Sequence, residues 1–185
     1  SLTALTTGTG NTAIGYLASN SVTTGDGNTS LGYRALASSA GSNDNNVAIG
    51  YQAMDASHGT GGGQNVFVGK DAGGGTWTTG ACNYNVGIGS EALAGALALS
   101  SGTIGIGYQA LTNLTSGTSN TAIGYQSMRG TSGNSTSNHN VAIGSVTLSS
   151  YTTASQNVAI GYDCLSNIDE SYGNVAIGYQ ALESA

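Results

Sequence analysis

One nine-residue phrase, clearest as Asn174-Val175-Ala176-Ile177-Gly178-Tyr179-Gln180-Ala181-Leu182, occurs ten times along the chain. Its copies open at Asn11, Asn28, Asn46, Asn65, Asn85, Thr103, Asn120, Asn140, Asn157 and Asn174. Its glycine falls at 15, 32, 50, 69, 89, 107, 124, 144, 161 and 178, so successive copies lie 17 to 20 residues apart. A unit this short cannot bury an apolar face alone and must stack on its neighbours. The phrase plus an eight-residue connector makes a minimal coil, and 1–185 reads as a single array of about ten coils of 17–20 residues. With no initiating Met and no signal peptide, it also reads as a segment of a longer fibre.

Composition narrows the kind of stack. Charged residues are 6% and apolar residues 38%, with 31 glycines and no proline. An ordinary globular core needs more large apolar side chains, and a disordered chain would lack β-branched residues at fixed positions. The phrase alternates with period two before its glycine, which predicts a strand, and glycine marks the bend that ends it. The expected fold is all-β, a parallel β-solenoid.

Alternation also assigns faces. The second and fourth positions, as in Val47 and Ile49 or Val158 and Ile160, are expected to point into the coil. The small residue between them is then expected to face out: Ala13, Ala48, Ala122, Ala142, Ala159 and Ala176. An outward row with no charge implies a strand buried on both faces, so these alanines are expected at an interface with identical chains. Beyond the bend, the Ala-Leu pair is expected to start a second short strand. The connector's third position, Leu5, Val22, Leu114, Tyr151 and Ile168, supplies a further inward anchor, and Trp77 fits the same slot in an enlarged connector. The opening Asn is expected either to ladder its amides along the axis or to act as a turn residue.

The repeats resemble two known families. Asn-Val-Ala-Ile-Gly phrases are similar to the head repeats of trimeric autotransporter adhesins. The longer Asn-Thr-Ala-Ile-Gly-Tyr-Gln form, at 120–126, resembles the shaft repeats of phage tail fibres and tail spikes. The resemblance implies a left-handed β-roll, three chains packed side by side, and a role in attachment to a host surface. It places the protein in a virion tail fibre, or alternatively on a bacterial surface as an adhesin head. An ice-binding solenoid is a third reading, prompted by recurrent Thr-Thr pairs.

Other chemistry finds little footing. Net charge is −6, and Arg34, Lys70 and Arg129 lie in separate repeats, which argues against a nucleic-acid partner. No apolar run is long enough for membrane insertion. His58 and His139 are four coils apart, and no catalytic set, metal cluster or cofactor motif has suitable spacing, so an enzyme is not expected. Cys82 and Cys164 should lie on the order of 19 Å apart at strand spacing, too far for a disulfide. Tyrosine follows the bend glycine in seven repeats, either as a packing ladder or as a strip for sugars. Connectors lengthen at 37–45, 55–64, 74–84, 94–102 and 129–139, where Asp55, His58, Tyr84, Arg129 and His139 are candidate contacts for a host receptor or glycan.

Overall fold

The computed structural model describes residues 1–38, 43–56, 62–77, 82–95, 97–98, 100–131, 135–167 and 169–183. Positions two to four of every phrase form a strand: Thr12–Ile14, Thr29–Leu31, Val47–Ile49, Val66–Val68, Val86–Ile88, Ile104–Ile106, Thr121–Ile123, Val141–Ile143, Val158–Ile160 and Val175–Ile177. All ten pair in parallel, in chain order, within one sheet. Each residue sits opposite its equivalent in the next coil, as Ala142 does with Ala122 and Ala159. Connector strands Leu114–Ser116, Ser135–Asn138, Thr153–Ser155 and Glu170–Tyr172 add a second parallel sheet alongside the later coils. The all-β parallel solenoid expected from the repeat is therefore present, with ten rungs, eight of them flanked by a rung on both sides.

The assignment of faces is reversed. Ala48, Ala122, Ala142 and Ala159 are fully buried inside the coil of a single chain, as is Phe67 at the same position, and Ala176 is buried with them. Ala13, in the first coil, is half-buried in register with the buried Ser30. The flanking β-branched residues point outward instead, with Ile88, Ile123 and Ile143 still 37–38% exposed between covered rungs. These six alanines are thus not an oligomer interface; they line the coil's own interior. The reason is volume. Leu36, Met54, Leu93, Leu111, Met128, Leu148 and Leu165, at the end of each phrase, are fully buried and fill the coil from the opposite side. The space left at mid-strand takes a methyl group and little more.

Phe67 is the exception that demonstrates this. Gly73 replaces the large residue that ends its own phrase, and Gly87 replaces alanine in the next coil. A Cβ at Gly87 would lie 2.6 Å from Phe67 Cδ1, and one at Gly73 equally 2.6 Å away. The ring therefore occupies volume that these two positions have given up. Trp77 lies edge-on to it at 5.8 Å, buried in the anchor slot as expected. Val22, Leu114 and Tyr151 are buried anchors too, and Leu5 packs partly buried against the core. Ile168 lies outside the described residues. Cys82 and Cys164 are both buried, and neither forms a disulfide.

The Ala-Leu pair does not begin a strand; that stretch is a turn. The N–H of Ala35, Ala53, Ala72 and Ala92 donates to the bend-glycine carbonyl three residues back at 3.3–3.5 Å. The third residue of that turn has positive φ, as type II turns require. Here it is Gln in four of the ten coils, at φ 51–53° for Gln52, Gln109, Gln126 and Gln180. The large residue two places on is left-handed as well, 54° for Leu36 and 52° for Met54. For residues with a Cβ this costs about 1 kcal/mol or more each. It is offset because the turned N–H groups bond along the axis: Gln52 N–H donates to Tyr33 O and Met54 N–H to Ala72 O, both at 2.8 Å. The bend glycines themselves sit at φ 130–139°, and a Cβ on Gly15 would lie 2.7 Å from the carbonyl carbon of Gly32. Only glycine fits that line of close approach.

The opening asparagines form the axial ladder. Asn120 Oδ1 accepts the Asn140 backbone N–H at 3.1 Å and its Nδ2 at 3.0 Å. Asn140 Oδ1 accepts both groups of Asn157 at 3.0 Å. The amide also donates to a connector carbonyl, as Asn140 Nδ2 does to Ala154 O at 3.0 Å, tying strand to connector. Thr103 interrupts the run: its N–H still reaches Asn85 Oδ1 at 3.0 Å, but its hydroxyl is buried without a partner.

Three stability experiments follow from these contacts. Thr103→Asn is expected to raise unfolding free energy by about 1 kcal/mol in a denaturant titration, since it satisfies a buried polar position. Asn140→Ala should lower it by about 2–3 kcal/mol by stranding the Asn157 donors. Gly87→Ala is expected to cost about 1–3 kcal/mol by overpacking Phe67, and most of that cost should vanish in a Phe67→Ala background. Equal costs in both backgrounds would show that the ring and the glycine are not a packing pair.

Candidate interaction surface

Because alanine points in, the outward strand face consists of two parallel rows. One holds Thr12, Thr29, Val47, Val66, Val86, Ile104, Thr121, Val141, Val158 and Val175; the other holds Ile14, Leu31, Ile49, Val68, Ile88, Ile106, Ile123, Ile143, Ile160 and Ile177. Neither row contains a charge. Nine steps of about 4.8 Å make the strip about 43 Å long, and with side chains it covers on the order of 500 Å². A strip of that size falls in the range of a monomer's largest apolar patch, which is often functional. The second sheet differs in character. Its outward positions, including Thr115, Thr136, Asn138, Thr153 and Ser155, are polar, and Thr115 Oγ1 donates to Ser135 O at 3.1 Å.

Past the bend glycine runs the tyrosine column. Tyr16, Tyr33 and Tyr51 stack with centroids 5.6 and 5.1 Å apart, Tyr108 stacks on Tyr125 at 5.4 Å, and Tyr162 on Tyr179 at 5.5 Å. The rings ladder between coils yet remain exposed at their outer edges. The column breaks at Lys70, Ser90 and Ser145. Lys70 Nζ bonds Asp71, whose carboxylate pushes the ammonium pKa up. On another corner the Asp26 carboxyl accepts Thr9 N–H at 2.6 Å and Thr9 Oγ1 at 3.0 Å, which holds it below the usual carboxylate range.

The connector candidates do not converge. Asp55 is only 8% exposed, accepts from Gln52 Nε2 at 2.9 Å and lies 3.8 Å from the Arg34 guanidinium, so it is a structural acid rather than a contact. Arg129 is half-buried with its Nε enclosed and unpartnered. Tyr84 and His139 are exposed, each at the left-handed position just before the asparagine ladder, in coils three rungs apart. His58 lies outside the described residues. The β-branched rows, the largest candidate surface, were misplaced by the reversed face assignment; the small size of the residue between them is the signal that marks it as inward.

Among the described residues no group of three His, Cys, Asp or Glu is placed to hold a metal, no pocket is enclosed, and no helix is long and apolar enough to cross a membrane. The most perturbed acid, Tyr151, is an anchor: burial pushes its pKa up to about 12, and its hydroxyl donates to Met128 O at 3.3 Å. An unfolded tyrosine ionises near pH 10, so between about pH 10 and 12 the unfolded chain releases a proton that the folded chain keeps, and stability falls as pH rises. Tyr151→Phe should flatten that alkaline loss by about 2–3 kcal/mol in denaturation measured from pH 9 to 12. An unchanged profile would mean the hydroxyl is not held in its neutral form. Comparison with protein-family models, curated proteins and solved structures finds no match to this chain.

Proposed function

We propose that this chain is a non-enzymatic fibre segment, a rigid shaft that works as a homotrimer and carries attachment to a host cell surface. The observation that supports it is the strip of Val and Ile side chains outside a coil whose interior is already filled by Ala and Leu. A strip of about 500 Å² with no charge is costly to leave in water, and a second and third copy of the same strip are its simplest cover. Three copies around one axis match the arrangement implied by the tail-fibre and adhesin-head repeats that the sequence resembles. A phage tail fibre is the first reading, on the Tyr-Gln extension of the phrase, and a bacterial trimeric adhesin head is the second.

Light scattering on purified protein tests the assembly. The expected mass is about 55 kDa, three times the 18.2 kDa chain. Ile143→Glu with Ile160→Glu should give a folded 18.2 kDa monomer. Ala142→Glu should instead abolish the β circular-dichroism signal, because that position is inside the coil. A monomeric wild type, or an assembly indifferent to the Ile143 and Ile160 substitutions, would sink the proposal. Attachment is read separately: exchanging connectors 55–64 and 74–84 for the minimal type at 112–119 should abolish host-cell binding while the trimer persists.

A further inference from the structure

The seventh, eighth and ninth coils break two side-chain ladders at the same rung. In the aromatic column, Tyr125 and Tyr162 each stack on a tyrosine on their far side, at 5.4 and 5.5 Å, with interplanar angles of 22° and 12°. Between them stands Ser145. Two strand steps separate their rungs, about 10 Å. That equals two of the stacking intervals used elsewhere in the column, so serine in place of tyrosine takes one ring's thickness out of the column and leaves an open surface notch rather than an enclosed pocket. One residue further along, Gln126 Nε2 donates to Gln109 Oε1 at 2.7 Å and Gln180 Nε2 donates to Asp163 Oδ2 at 3.2 Å. Val146 separates these two pairs and offers neither a donor nor an acceptor. Val146 is also held at φ 50°, a conformation that a β-branched residue adopts only at a cost of about 1–3 kcal/mol. The eighth coil thus lacks a ring, lacks an amide, and keeps a strained residue where the other coils have none that is β-branched.

We infer that this notch binds one pyranose ring of a neutral glycan, sandwiched between Tyr125 and Tyr162 and hydrogen-bonded by Ser145, Gln126 and Asp163. Tyr125 and Tyr162 are 51% and 50% exposed, so a ring can enter from solvent. The apolar C–H faces of a sugar suit two aromatic walls, and its equatorial hydroxyls suit the side-chain oxygens at the edges. An aromatic side chain would use the walls but leave those oxygens without partners. Asp163 supplies a carboxylate and no cation belongs to the notch, which disfavours acidic sugars. The longer break at Lys70 and Ser90 is no equivalent, because it spans two rungs and Lys70 with its Asp71 partner occupies part of it. The site's biological use rests on the attachment reading, although it lies on the shaft rather than on the enlarged connectors.

The test is binding of neutral gluco-, galacto-, manno- and N-acetylglucosamine hexasaccharides to the intact protein, read by saturation-transfer NMR and by the tyrosine ring resonances. At least one is expected to bind and to shift Tyr125 and Tyr162. Ser145→Tyr with Val146→Gln completes both ladders; it should weaken binding at least about tenfold while thermal stability holds or rises. Tyr162→Ala should weaken it similarly. No binding by any of the four at millimolar concentration overturns the inference, as does binding that survives the filled notch. A changed oligomeric mass in the filled variant also overturns it, because a second copy would then be the occupant. Failure here with a persistent trimer and connector-dependent attachment leaves the fibre proposal standing, so the two are separable.

Discussion

The structure depends on hydrogen bonds that run along the axis between corresponding segments of successive coils. Strand amides, turn amides and asparagine side chains all use the same direction. Thr121 N–H reaches Asn140 O at 2.8 Å on the sheet, Gln126 N–H reaches Tyr108 O at 2.8 Å on the turn, and the amide ladder links Asn120 to Asn140 to Asn157. Connector length can vary because coils are held by matching positions, not by matching lengths: Asn65 follows Asn46 by 19 residues and Asn157 follows Asn140 by 17, and both pairs bond alike. A coil in this protein is a rung first and a piece of chain second. The hydrophobic interior fills whatever space the ladders leave.

That order of priority explains what was and was not legible in the sequence. The repeat, the parallel stack, the strand before the glycine and the buried connector anchors such as Val22, Leu114 and Trp77 all follow from periodicity and side-chain type, whereas the opening asparagine stays open between ladder and turn. Alternation also separates Val47 and Ile49 from Ala48 correctly. It does not say which set is inside. The usual preference for burying the larger residue fails here because the coil is thin and the terminal Leu or Met of each phrase has already claimed its centre. Phe67 carries the needed information in compensated form: a large side chain at the middle position coincides with glycine at 73 and 87, a correlation that only makes sense if position 67 points in.

The corners were hidden for another reason. Gly, Asn and Asp are the residues from which left-handed backbone is normally inferred, and this protein places Gln, Leu and Met there in coil after coil. Nothing local favours that. The conformation is imposed from outside the segment, by the coil on each side accepting and donating the turned amides. The same blindness applied to the contacts: Asp55 stands in an enlarged connector, yet the Arg34 guanidinium and the Gln52 amide draw it into the body of the coil. The eighth-coil notch was half visible, since Ser145 and Val146 depart from Tyr and Gln in the sequence, but its significance needed the stacking interval of the neighbouring rings.

Axial bonding has a mechanical consequence. In a globular sheet pulled along its strands, many hydrogen bonds are sheared together and share the load. A solenoid pulled along its axis places its rungs in series, so each rung bears the full tension and the weakest one parts first. At Thr103 the amide ladder is interrupted between Asn85 and Asn120, so that interior rung resists axial tension with fewer side-chain bonds than one with asparagine. An interior rung that yields parts the array into two stretches of coils that are each still wound, whereas a yielding end rung only frays it.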